Sequence, residues 1–147
     1  MRIAIGCDHG ALALKEELKR VLATYPEMET VDFGVHTPES VDYPDIAVKV
    51  CAEITAGRAA LGILLCGTGI GISIAANKIP GIRAALCGDV YSAKMARQHN
   101  DANVLALGGR VLGVGVAEEI LRAFLASSFE GGRHARRVEK IMALDAR

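Results

Sequence analysis

The pattern of apolar segments predicts an open, doubly wound α/β domain, Rossmann-like, with a five-stranded parallel sheet in a three-layer α/β/α arrangement. Five short apolar runs alternate with segments whose apolar residues recur at helical spacing. Such an order calls for parallel pairing through right-handed crossovers, which puts helices on both faces of the sheet. The length of 147 residues suits one domain, which would bury roughly 70% of the surface its unfolded chain exposes. Residues 1–147 therefore read as a single domain, with no repeat, linker or low-complexity stretch.

Arg2 to Cys7 is the first apolar run. Ala11 to Tyr25 follows as a helix, with Leu12, Leu14, Leu18, Val21 and Leu22 at helical spacing and Pro26 closing it. Thr30 to Phe33 is the second strand, and Asp42 to Ala56 the second helix, with Pro44 in its first turn and Gly57 just past its end. Leu61 to Cys66 is a continuous apolar run, as a strand buried on both faces requires, and Ile70 to Lys78 is a short helix. After the Pro80-Gly81 break come a fourth strand, Ile82 to Cys87, and a helix from Val90 to Gln98. Val104 to Leu107 is the fifth strand. Val114 to Ser127 is a helix with Val116, Ile120, Leu121, Phe124 and Leu125 facing inward, and Arg133 to Leu144 is the terminal helix.

Charge and cysteine usage narrow the partners. Seventeen basic residues balance seventeen acidic ones, which leaves no long-range field for nucleic acid or an anionic membrane; neither is expected as a partner. The N-terminus reaches Asp8 before the apolar core of a signal peptide could form, so no export is expected. Cysteines at 7, 51, 66 and 87 are too few and too far apart for a disulfide framework or a paired CxxC zinc site. Reduced thiols in the cytoplasm fit them. The 19 uncharged residues from Ala59 to Asn77 have the length of a membrane span. Their four glycines, with Thr68, Ser73 and Asn77, fit a buried strand, a glycine loop and a short helix instead.

In doubly wound sheets ligands bind outside the carboxyl ends of the strands, beside a topological switch point. There the loop Cys66-Gly67-Thr68-Gly69-Ile70-Gly71 joins a strand to a helix, where free N–H groups and the helix dipole attract a phosphate or an oxyanion. It lacks the lysine of a P-loop and the third glycine of GxGxxG. A helix N-terminus also favours a thiolate, so Cys66 reads either as a base or nucleophile or as an inert buried thiol. Asp8-His9 leaves the first strand towards the same crevice. Asp8 could orient a hydroxyl or cap the following helix, and His9 could contact a phosphate. His99-Asn100 falls in the polar run Gln98 to Asn103, a turn-forming and therefore exposed stretch ahead of the fifth strand. His99 thus reads as a surface residue far from its own Cys66, useful to a site only if another subunit supplies it. His36, beside Thr37 and Pro38, reads as surface. Arg133 and Arg137, four apart, share a helix face that could grip a phosphate; Arg136 and Lys140 share a more solvated one.

Laid side by side, these segments resemble the type B ribose-5-phosphate isomerase family, which includes the subunits of galactose-6-phosphate isomerase. The likeness runs through Gly6-Cys7-Asp8-His9-Gly10 with Lys15, Asp42-Tyr43-Pro44, Cys66 to Asn77, and Gly81-Ile82-Arg83-Ala84. It continues through Arg97 to Leu105, Gly108 and Arg110, Glu130 to His134, and Arg137-Val138. The resemblance implies an aldose–ketose isomerase of the pentose phosphate pathway, with Cys66 as the base that moves a proton between sugar carbons 1 and 2. It implies that Gly67, Thr68, Gly69, Ile70 and Gly71 hold the enediolate oxygens, with Thr68 also among the catalytic groups. By the same likeness His99 opens the furanose ring, Asp8 and Asn100 position hydroxyls, and His9, Arg110, Arg133 and Arg137 bind the phosphate. The resemblance further implies a homodimer or tetramer with shared active sites, no metal and no cofactor. One branch of the family uses a loop glutamate as base; Gly67 to Asn77 contains no acid, which places this sequence with the cysteine branch.

Rival readings stay open at this level. A nucleotide-binding module lacks its fingerprint, a thiol redox protein leaves the paired arginines idle, and a sugar-phosphate sensor would keep the pocket without turnover. Substrate length is equally open: ribose 5-phosphate, or the six-carbon allose or galactose 6-phosphates.

Overall fold

A computed structural model describes residues 1–146. Strand β1 (Arg2–Cys7) leads through a 3-10 turn (His9–Ala11) into α1 (Leu12–Leu22), and β2 (Glu29–Asp32) leads into α2 (Tyr43–Thr55). There follow β3 (Leu61–Cys66), α3 (Ile70–Ala76), β4 (Ala84–Leu86), α4 (Val90–Asn100), β5 (Val104–Gly108), α5 (Val114–Ala126) and α6 (Arg133–Met142). The five strands are parallel in the order β2-β1-β3-β5-β4. The expected Rossmann-like α/β/α domain is therefore present, and the 19-residue uncharged run folds as β3, a loop and α3. No helix among the described residues is long and apolar enough to cross a membrane.

Two cores sandwich the sheet. On one face Leu14, Leu18, Leu22, Ile120, Leu121 and Phe124 of α1 and α5 pack on Ile3, Ile5, Ile63, Leu65, Leu105 and Leu107. On the other, Ile46, Val50 and Cys51 of α2 and Ile72 and Ala76 of α3 pack on Ala4, Leu64, Val104 and Ala106. Alternation along each strand sorts the side chains between the two faces. The helices leaving β1 and β5 take the first face and the helix leaving β3 takes the second. The carboxyl end of β3 thus lies in a crevice between diverging connections, where such sheets bind ligands.

Several boundaries differ from the sequence reading, each for a physical reason. The first helix begins with a 3-10 turn capped by Asp8 and ends at Leu22 rather than Tyr25. The fourth strand shrinks from Ile82–Cys87 to Ala84–Leu86, because it is an edge strand that pairs with β5 alone over three residues. Val116 is 50% exposed rather than inward-facing; the buried stripe of α5 runs through Ala117, Ile120, Leu121 and Phe124. Most consequential, α4 continues through His99 and Asn100, where the polar run had read as an exposed turn. Asp101 closes the helix in the left-handed region, with φ 46°, its N–H bonding back to Arg97 O.

Beneath the carboxyl edge lies an ion network. Lys15, fully buried, donates to Asp32 Oδ1 at 2.9 Å and to Val35 O at 2.5 Å, and Lys19 donates to Asp32 Oδ2 at 2.8 Å. Burial works to raise the Asp32 carboxyl, but the two ammonium groups and the Gly34 N–H outweigh it and hold the group below the usual carboxylate range. A depressed folded value means that the unfolded chain binds the extra proton, so this contribution is present above about pH 4 and is lost as pH falls through the folded value. Asp32→Asn is expected to flatten the acid limb of stability measured by urea melts from pH 3 to 7. It should also cost about 3 to 5 kcal/mol at pH 7, since Lys15 is left buried without its partner. An unchanged acid limb would contradict this.

Candidate active site

The carboxyl edge of the sheet gathers Cys66, the Gly67–Gly71 loop, Asp8, His9 and Arg110. Cys66 ends β3, is only 4% exposed, and accepts the Gly69 N–H on Sγ at 3.1 Å. Such a bond is stronger to a thiolate than to a thiol. Desolvation pushes Cys7 up to about 11, Cys51 to about 12 and Cys87 to about 11, which leaves these three as inert thiols at neutral pH.

The loop takes its shape from glycines that must be glycines. Gly69 has φ 76°, and a Cβ there would come 2.8 Å from Leu107 C and 3.0 Å from Gly108 N. A Cβ on Gly109 would meet Ala11 Cα at 2.8 Å. Backbone therefore packs on backbone where β1, β3 and β5 end, tied by Gly109 N–H to Cys66 O at 2.8 Å and Arg110 N–H to Gly67 O at 2.9 Å. Thr68 Oγ1 accepts the Ile70 N–H at 3.2 Å, while the N–H groups of Gly67, Thr68 and Gly71 have no partner among the described residues. Those free donors beside Cys66 can receive negative charge on oxygen. The Arg110 side chain crosses Gly67, its Nη1 3.4 Å from where a Cβ would sit.

Asp8 takes the capping role the sequence offered and also faces open space. Its Oδ1 accepts the Gly10 N–H at 2.8 Å as an N-cap, and its residue borders a cavity of about 490 Å³ lined also by His9, Ser40, Val41, Tyr43 and Pro44. His9 Nδ1 accepts the Val41 N–H at 3.3 Å, which leaves Nε2–H to donate to a ligand. Tyr43 had no role in the sequence reading. Its ring presses on Gly71, where a Cβ would lie 2.5 Å from Cζ, so the aromatic ring helps to form the loop's wall.

The remaining predicted residues lie at the opposite edge. Helix α4 starts after the carboxyl end of β4 and runs back about 16 Å, so His99 and Asn100 stand at the amino end of β5. There α6 begins, its lead-in held by Glu130 N–H to Gln98 O at 3.0 Å. Arg133 and Arg137 are both exposed on α6, as their spacing predicts. His99 is not the free surface residue expected: it is half-buried and stacks on His134, with ring centroids 4.1 Å apart and planes at 10°. His134 is 7% exposed and had been given no role. Only its spacing of four from Glu130 was visible in the sequence, and the contact with His99 is long-range. His36 is exposed, as expected.

His99, Glu130 and His134 place their ligand atoms within 4.8 Å of one another, the one such group of metal-ligating side chains among the described residues. A metal ion lies in the plane of each imidazole that binds it, at about 2.1 Å. Two nearly parallel rings offer no such shared point, so this is a stacked pair rather than a chelate.

The profile of the Ribose/Galactose Isomerase family matches residues 3–141. The chain belongs to that family. It is 49% identical over 146 residues to ribose-5-phosphate isomerase B of Escherichia coli, covering 99% of this chain and 97% of the relative. D-erythrulose-4-phosphate isomerase of Pectobacterium atrosepticum is 47% identical over 142 residues, 96% of this chain and 95% of the relative. Among solved structures, ribose-5-phosphate isomerase B of Clostridium thermocellum superposes with TM-score 0.96 at 52% identity, covering 99% of this chain and 98% of that one. The candidate residues of the chain thus fall into two groups: Cys66, the glycine loop, Asp8, His9 and Arg110 at the carboxyl edge, and His99, Asn100, Arg133 and Arg137 at the amino edge.

Proposed function

We propose that this protein interconverts ribose 5-phosphate and ribulose 5-phosphate, an aldose–ketose isomerisation within the cytoplasm. The observation that carries the reading is Cys66 Sγ, bonded to the Gly69 N–H, beside loop amides that have no partner among the described residues. An aldose–ketose shift needs one base able to reach two adjacent carbons, and donors fixed where charge develops on their oxygens. Cys66 takes the proton from carbon 2 of the open aldose and returns it to carbon 1. Gly67, Thr68, Gly69, Ile70 and Gly71 surround the enediolate oxygens in between. The reaction is redox-neutral within the sugar, so its balance calls for no cofactor or metal.

In this reading Asp8 and Asn100 orient hydroxyls, and His9, Arg110, Arg133 and Arg137 hold the phosphate. That binding, remote from the reacting carbons, supplies energy for orientation. His99 opens the furanose by shifting a proton between the anomeric hydroxyl and the ring oxygen. Because His99, Asn100, Arg133 and Arg137 lie at the edge opposite Cys66, the complete site draws them from a second copy of the chain, in a homodimer or a tetramer built from one.

The relative that acts on a four-carbon sugar phosphate is about as similar as the five-carbon enzyme. The direct test is therefore kcat/KM over erythrulose 4-phosphate, ribose 5-phosphate, allose 6-phosphate and galactose 6-phosphate. Ribose 5-phosphate is expected to lead; a tenfold preference for another member would reassign the substrate, and no turnover of any would leave a sugar-phosphate sensor. In the same assay Arg133→Ala and Arg137→Ala should each weaken substrate binding by about 1.5 to 3 kcal/mol, the worth of one charged hydrogen bond, with inhibition by inorganic phosphate weakened in parallel. Unchanged phosphate inhibition in both variants would return the arginines to the surface.

A further inference from the structure

The imidazole stack at the amino edge goes beyond the roles assigned so far. His134 sits in the first turn of α6, its backbone N–H bonded to Gly131 O at 3.0 Å and its ring nearly closed off from solvent. The lead-in to α6 is anchored on the last turn of α4 through Gln98, so the two rings are held by two separately fixed helices. The stack is the contact that fixes the plane of His99: its ring nitrogens have no hydrogen-bond partner among the described residues, and the Glu130 carboxylate lies within 4.8 Å without bonding to it. An imidazole that must pass a proton between two oxygens of a sugar needs its edge aimed at them, and a ring free to turn loses that aim.

We propose that His134 is a positioning residue for ring opening, its flat ring fixing the plane in which His99 meets the cyclic sugar. The inference rests on His99 being the ring-opening group. The surroundings of His134 suit the role. Desolvation first, then His99, Arg133 and Arg137, lower its pKa against the opposing pull of Glu130, whose Oε2 lies 3.8 Å from Nε2. The buried member of the stack therefore stays neutral at pH 7, and the more accessible His99 is the one that exchanges protons with the substrate.

The test separates ring opening from proton transfer at carbon. Ribulose 5-phosphate carries its phosphate on the hydroxyl that would close a furanose, so exchange of its carbon-1 proton with solvent deuterium needs Cys66 and the loop but no ring chemistry. Turnover of cyclic ribose 5-phosphate needs both. In the intact dimer His134→Ala should lower kcat on ribose 5-phosphate by about tenfold or more, the scale of a misaimed catalytic group. Deuterium wash-in by NMR should stay within twofold of the parent, and this also shows that the variant is folded and its site assembled. His134→Phe keeps a flat ring without a titrating nitrogen and should restore turnover to within about threefold. His99→Asn should give the same split as His134→Ala. Equal slowing of both reactions in His134→Ala, no slowing of either, or failure of His134→Phe to rescue would each overturn the proposal while His99→Asn still splits. If His99→Asn itself slows both reactions alike, the ring-opening reading falls and the proposal with it.

Discussion

Cys66→Ala should abolish isomerisation, by about 10³-fold or more, while the protein stays folded. A positioned general base contributes roughly 10² to 10⁴ in rate, and the groups that share the crevice are engaged elsewhere: Asp8 Oδ1 accepts the Gly10 N–H and His9 Nδ1 the Val41 N–H. No acid lies between Gly67 and Asn77, and desolvation pushes the thiols of Cys7 and Cys87 up to about 11 and that of Cys51 to about 12. The structural cost is small: one sulfur leaves a buried site, and the Gly69 N–H loses an acceptor, together on the order of 1 to 2 kcal/mol. Steady-state turnover of ribose 5-phosphate and thermal melting by circular dichroism check the two halves of this expectation. Activity within tenfold of the parent would remove Cys66 from the role of base.

Much of this was readable from the sequence because the signals are local. The apolar run Leu61–Cys66 and the glycines after it named the strand and the loop that follows it, and Asp8 was recognisable as a cap. What escaped depends on partners distant in the chain. The polar run from Gln98 to Asn103 has the composition of a turn, yet its first three residues are helix because Asp101 accepts a left-handed conformation that closes α4. Residues at a helix end and in a turn look alike in composition. No local signal says that β5 inserts between β3 and β4, or that β4, left at the edge, pairs over three residues only. The stack of His99 on His134 joins residues 35 positions apart through two helices, and periodicity within either helix is blind to it. Tyr43 was visible as part of a motif, but its reason, the close approach to Gly71, appears only when α2 packs beside α3.

The division of the site between two edges of one chain makes the shared dimer the central claim, and subunit exchange tests it. In a twofold dimer each site joins Cys66 of one protomer to His99 of its partner. A chain carrying Cys66→Ala still offers a good His99, and a chain carrying His99→Asn still offers a good Cys66. Paired, they form one intact site and one doubly defective site. Equal mixing gives half heterodimers, each with one of its two sites intact, so two inactive parents should recover to roughly a quarter of wild-type activity on ribose 5-phosphate. Native mass spectrometry verifies the exchange. Recovery near a quarter is the result expected here; verified heterodimers as inactive as their parents would show that Cys66 and His99 serve one site from the same chain, contradicting the shared site.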